Sequence, residues 1–171
     1  MIRKLFPLQV SDIVCRDTEY FELVSDIITN KNVLKMKDYM QHGTTSCFDH
    51  CLNVSYYSYI VCKKLNLDTK SAARAGLLHD LFLYDWHEIP QNIKDVPLHK
   101  KHAFRHPYVA LKNANKYFSL NKKEKDIIVK HMWPITLVLP KYKESFIVSI
   151  VDKLCCITET IFMFIPKKMY I

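Results

Sequence analysis

The segment SAARAGLLHDLFLYDW, residues 71–86, decides how this chain is read. Asp68 or Thr69 caps a helix that runs through small residues and Leu77-Leu78 to about Asp80, where His79 and Asp80 stand side by side. Sequence neighbours cannot share one helical face, but at a fraying helix end both can turn toward one ion. The doublet belongs to a series: His50, His79-Asp80, His106, His131 and Asp152, at intervals of 29, 27, 25 and 21 residues. Each member falls on, or at the end of, a segment that reads as a helix. Six nitrogen- and oxygen-donor side chains spaced one helix apart are what a bundle needs to hold metal ions at its centre.

Working outward, residues 17–30 place Tyr20, Phe21, Val24, Ile27 and Ile28 at helical spacing, with Asp17 or Thr18 as cap. A short helix is expected over 33–39. Ser46 offers an N-cap to a long helix over 47–65, which carries His50. Residues 81–105 read as a loop with at most one short turn. His106-Pro107 reads as N-cap and first residue of a helix to about Phe118, because proline's missing N–H costs nothing there. Asn121 caps a helix, with Glu124 in its first turn, that stops near Met132 before Pro134. The last helix is expected over 142–165, ended by Pro166. The fold class is therefore all-α, a single-domain helical bundle. Its metal-binding core spans about 42–165, and residues 1–41 form an N-terminal helical extension. Asp152, in FIVSIVDKLCCI, has apolar residues on both sides, so its carboxylate must be paired or metal-bound.

The pattern resembles the HD-domain superfamily of metal-dependent phosphohydrolases. The residues that carry the likeness are FDHC at His50, LLHDLFLYDW at His79-Asp80, FRHP at His106, KHMWP at His131 and IVDK at Asp152. The family minimum, His…His-Asp…Asp, binds one metal; two further histidines mark the subset able to bind two. The resemblance implies His50, His79, Asp80 and Asp152 on a first ion and Asp80, His106 and His131 on a second, with Asp80 as the bridge. The ions would be one or two of Mn, Fe, Co, Ni or Zn, which suit mixed imidazole and carboxylate ligands. The activity implied is hydrolysis of a phosphate ester or nucleotide by a metal-activated water. A di-iron oxygenase cleaving C–C or C–P bonds and a non-catalytic metal-binding sensor remain as alternatives. The doublet lacks the Gly-Lys of better-known subfamilies, and no GYP follows, so cyclic-dinucleotide phosphodiesterase activity is not supported.

Beyond the ligands, His42 is a candidate for substrate contact, Asp85 for proton shuttling or orienting a water, and Lys153 for meeting a substrate phosphate. His87, His99 and His102 read as loop or surface histidines. Six cysteines, at 15, 47, 51, 62, 155 and 156, form no CxxC pair and read as reduced core fillers. The chain has 171 residues, 49% of them apolar, enough for a real core. With only two glycines, and neither GxxxxGK[ST] nor GxGxxG, P-loop and Rossmann readings are closed. A net charge of +8 suits an anionic small-molecule partner. The lysine clusters are not interleaved with aromatics, so no nucleic-acid binding is inferred. No secretory signal or membrane span is read, which makes the expected location cytoplasmic.

Overall fold

Ser46 starts the helix that organises the fold. Its hydroxyl accepts from the Asp49 N–H, and helix α3 (Cys47–Lys64) follows, with His50 in its first turn. A computed structural model describes residues 16–42, 45–85 and 102–164, apart from the side chains of 42 and 162–164. Before α3 come α1 (Thr18–Ile28), capped by Asp17, α2 (Lys31–Leu34) and a 3-10 turn over Lys35–Asp38. A small antiparallel hairpin, β1 (Met40–His42) and β2 (Thr45–Ser46), then leads into α3. After it come α4 (Thr69–Leu78), capped by Asp68, and α5 (His102–Tyr117). The bundle ends with α6 (Lys122–Lys130) and α7 (Lys143–Phe164). At α6 the Asn121 side chain and Glu124 cap each other reciprocally. The all-α reading holds, with helix starts where Asp17, Ser46, Asp68 and Asn121 were expected to cap them.

Two expected boundaries are wrong. The short helix expected over 33–39 is instead α2 followed by the 3-10 turn, beginning at Lys31 and ending at Asp38. Helix α5 begins at His102, a turn earlier than the proline suggests, and Pro107 lies inside it. Proline in this second turn forgoes the backbone hydrogen bond to the residue 103 carbonyl, a cost the surrounding packing has to offset. The extra turn has its own support. The His102 and His106 rings stack with centroids 4.5 Å apart, and His106 Nδ1–H donates to the His102 carbonyl at 2.8 Å.

Helices α3 and α4 form the central pair, and Gly76 sets how closely they approach. A Cβ on Gly76 would stand 2.8 Å from the Ser55 Cα, too close for any side chain. Ser55 donates to the Ala73 carbonyl at 2.6 Å, and the Tyr20 hydroxyl reaches Ser55 at 2.7 Å. Tyr20, Val24 and Ile27 of α1 are fully buried in the same core, so the N-terminal helix completes it. Arg74 ties α4 to α1 through Asp26 at 2.6 Å and to α6 through Glu124 at 3.2 Å. No described helix is long and apolar enough to cross a membrane.

Candidate metal centre

All six donor residues of the series meet in the bundle's interior, each at most 4% exposed. Three of the five helices concerned present them near their ends. His50 comes from the first turn of α3, His79 is the C-cap of α4 with Asp80 next, and His131 is the C-cap of α6. His106 comes from the second turn of α5, not from an N-cap. Asp152 projects from the middle of α7.

The histidines share one arrangement. His79 Nδ1 lies 2.7 Å from the Gly76 carbonyl, His106 Nδ1 2.8 Å from the His102 carbonyl, and His131 Nδ1 2.7 Å from the Ile128 carbonyl. A carbonyl oxygen can only accept, so each of these nitrogens carries the proton. His50 Nδ1 is 2.8 Å from the Glu159 carboxylate. The Nε2 atoms of all four therefore face inward. Tying the outer ring nitrogen to a carbonyl or carboxylate is how proteins fix the tautomer of a metal-ligating histidine.

Around the two aspartates the histidine contacts are mostly longer than ordinary hydrogen bonds, the exception being the His50–Asp152 hydrogen bond. Asp80 Oδ1 lies 3.3 Å from His106 Nε2 and 3.5 Å from His131 Nε2, and Asp80 Oδ2 lies 3.4 Å from His79 Nε2. Asp152 Oδ1 lies 3.1 Å from His50 Nε2 and 3.6 Å from His79 Nε2. Asp80 Oδ1 and His79 Nε2 are buried without any hydrogen-bond partner. A buried orphan costs about 1–3 kcal/mol, so two of them at the convergence of four histidines fit a cation. Two triads gather their ligand atoms within 4.8 Å: His50, His79 and Asp80, and Asp80, His106 and His131. They share Asp80, as a bridging carboxylate would require. A third, His79, His131 and Asp152, links the two.

Burial opposes ionisation of both aspartates, but the groups around them outweigh it. His79, His106 and His131 hold Asp80 well below the usual carboxylate range; His50, His79 and Lys153 do the same for Asp152. Burial equally opposes charge on His50 and His79, yet the adjacent carboxylates raise both well above the ordinary histidine value. His131 is driven the other way, by burial and then by His79. Without a cation, protons on the histidines balance the carboxylates.

Supporting residues that sequence reasoning missed are now visible. Gln41 donates to Asp80 Oδ2 at 2.6 Å. Glu159 takes His50 Nδ1–H on one oxygen and the Asn53 amide, at 2.9 Å, on the other. Spacing offered a signal for both: Glu159 is seven residues from Asp152 and Asn53 three from His50, so each pair shares a helical face. His102, expected on a loop or surface, is half-buried against His106, Phe82 and the Tyr84 hydroxyl. As the next residue on the helix, Lys153 leaves the backbone about 100° away from Asp152. Its flexible stem instead brings Nζ back to within 2.8 Å of Asp152 Oδ2 and onto the His131 carbonyl. Asp85 is half-buried five residues past Asp80. The His42 side chain, His87 and His99 lie outside the described residues.

Cysteines surround the centre as well. Cys47, Cys51, Cys62 and Cys155 are buried as fillers, while Cys156 is half-buried, its Sγ 3.6 Å from Asp152 Oδ1. Burial and the nearby Asp152 carboxylate push the Cys156 thiol far up in the absence of a cation.

A family model for the HD domain matches residues 47–155. No curated protein and no solved structure matches the chain.

Proposed function

The chain belongs to the HD-domain family of metal-dependent phosphohydrolases, and from that premise we propose that it hydrolyses the phosphate ester of a small phosphorylated molecule or nucleotide at a two-ion centre. The observation that carries the reading is the common tautomer of the four histidines. Four inward-facing Nε2 atoms and two buried carboxylates, with His79 Nε2 and Asp80 Oδ1 lacking any hydrogen-bond partner, make a ready donor set for cations.

In this reading His50, His79, Asp80 and Asp152 hold the first ion and Asp80, His106 and His131 the second. Mn, Fe, Co, Ni and Zn all suit such ligands. Bound divalent cations supply Lewis acidity toward phosphoryl oxygens and acidify water. The chain's own work is positional. Asp80 turns Oδ1 toward His106 and His131 and Oδ2 toward His79, while Gln41 holds the second oxygen in place. Lys153 occupies Asp152 Oδ2, which leaves Oδ1 aimed at His50 and His79. That makes Lys153 a positioning residue for Asp152 rather than a substrate contact. His42, next to Gln41, and Asp85 are the residues we propose for substrate contact and proton transfer. The net charge of +8 favours an anionic substrate.

The test is a panel of phosphomonoesters, phosphodiesters and nucleotides, offered to the chain loaded in turn with Mn, Co, Ni, Fe and Zn, beside carboxyl esters. Phosphate release that disappears in Asp152→Asn supports the reading. Hydrolysis of carboxyl esters alone overturns the substrate class. Oxygen uptake by the iron-loaded chain without phosphate release would move it to the di-iron oxygenases.

A further inference from the structure

Asp152 and Cys156 are four residues apart on α7, so their side chains rise from one face a single turn apart. The pair offers one hard oxygen and one soft sulfur. Cys156 Sγ and His79 Nε2 each stand 3.6 Å from the same atom, Asp152 Oδ1, and His50 Nε2 stands 3.1 Å from it. The ligand atoms of His50, Asp152 and Cys156 all lie within 4.8 Å of one another. A second observation points to a ligand there: His79 Nε2, completely buried, is aimed at that oxygen and has no hydrogen-bond partner.

The other cysteines near the centre are placed differently. Cys51 Sγ lies 3.7 Å from His79 Nδ1, behind the ring and away from the inward nitrogen. Cys47 Sγ donates to the Asp80 backbone carbonyl at 3.4 Å. Among the described cysteines, Cys156 alone belongs to a cluster able to hold a metal.

We infer that Cys156 is a sulfur ligand of the first ion, joining His50, His79, Asp80 and Asp152, and that it biases this position toward thiophilic cations. The inference rests on the two-ion reading above. The sulfur binds as thiolate, and its proton leaves to solvent as the ion enters. Thiolate donors favour Zn and Fe over Mn, whereas oxygen and imidazole alone discriminate less. The two positions of the centre would then differ in kind: sulfur on the first, none on the second.

Cobalt(II) is the probe. The full chain loaded with cobalt is expected to show a near-ultraviolet thiolate-to-cobalt charge-transfer band beside the visible d–d bands. Cys156→Ser and Cys156→Ala should lose the charge-transfer band and keep the d–d bands, and Cys51→Ser should keep both. The Zn-to-Mn affinity ratio should fall by at least about tenfold in Cys156→Ser. Circular dichroism checks that the variants fold; should neither fold, the band in the parent and in Cys51→Ser decides. A parent with d–d bands and no charge-transfer band, or a band that survives Cys156→Ser, overturns the assignment. A folded parent that takes up no cobalt defeats the metal centre itself, and this inference with it.

Discussion

His106 and His131 face one another with their Nε2 atoms 2.9 Å apart, while the Nδ1 of each is committed to a backbone carbonyl. Two bare lone pairs at that distance repel, so a proton or a cation must lie between the rings. Asp80 Oδ1, beside both, supplies the balancing negative charge. His106→Ala or His131→Ala should therefore retain one ion per chain and lose the other. Asp80→Ala should lose both. Metal analysis of the purified variants checks this, and two tightly held ions in Asp80→Ala would remove its bridging role.

Asp152→Asn separates chemistry from fold. The amide is nearly isosteric with the carboxylate and can still meet Lys153 through its oxygen. Helicity should persist, while metal affinity falls at least about tenfold and hydrolysis is lost. Phosphate release at the parent rate, with the parent's metal content, would make Asp152 a structural acid.

Glu159 orients His50 without reaching the inward side. Glu159→Gln keeps a hydrogen bond but removes the charge that makes His50 a better donor. Loss of roughly 10- to 100-fold in affinity for the first ion is expected, as for other outer partners of metal-bound histidines. Calorimetric titration of the first site reads the effect. Glu159→Ala should cost more than Glu159→Gln, because it also strands the Asn53 amide.

Ion uptake should release protons. Without metal, His50 and His79 hold theirs to a pH well above the usual histidine range. A cation has to displace them, so affinity rises with pH and is lost as pH falls through those raised values. Titration in two buffers of different ionisation enthalpy counts the protons; a heat independent of buffer would contradict the proton-filled state.

Gly76→Ala tests how the helix packing supports the site. Alanine gains about 1 kcal/mol in helix propensity, but overpacking against the Ser55 backbone costs about 1–3 kcal/mol. The approach is backbone on backbone, with no flexible end to yield, so the upper part of that range applies. A net loss near 2 kcal/mol would lower Tm by roughly 5 °C. Because the Gly76 carbonyl also holds His79, metal affinity should fall with it. An unchanged Tm would show that α3 and α4 have room to separate.

The sequence by itself determined the helices and the six donors. Polar caps at Asp17, Ser46, Asp68 and Asn121 mark helix starts through local hydrogen bonds, so they are legible without tertiary knowledge. The donors stand out because His, Asp and His-Asp recur one helix apart within apolar surroundings. Only the tertiary structure decided what supports them. Gln41 on Asp80 and Glu159 on His50 are contacts between residues 39 and 109 positions apart. Local propensity carries no information across such separations. The start of α5 was misread for a related reason: proline's preference for a first turn is statistical, and the stacking of His102 on His106 outweighed it. The side on which each cysteine stands was equally invisible. Helical spacing puts Cys156 on the face of Asp152, but the bundle alone brings His50 and His79 to that oxygen.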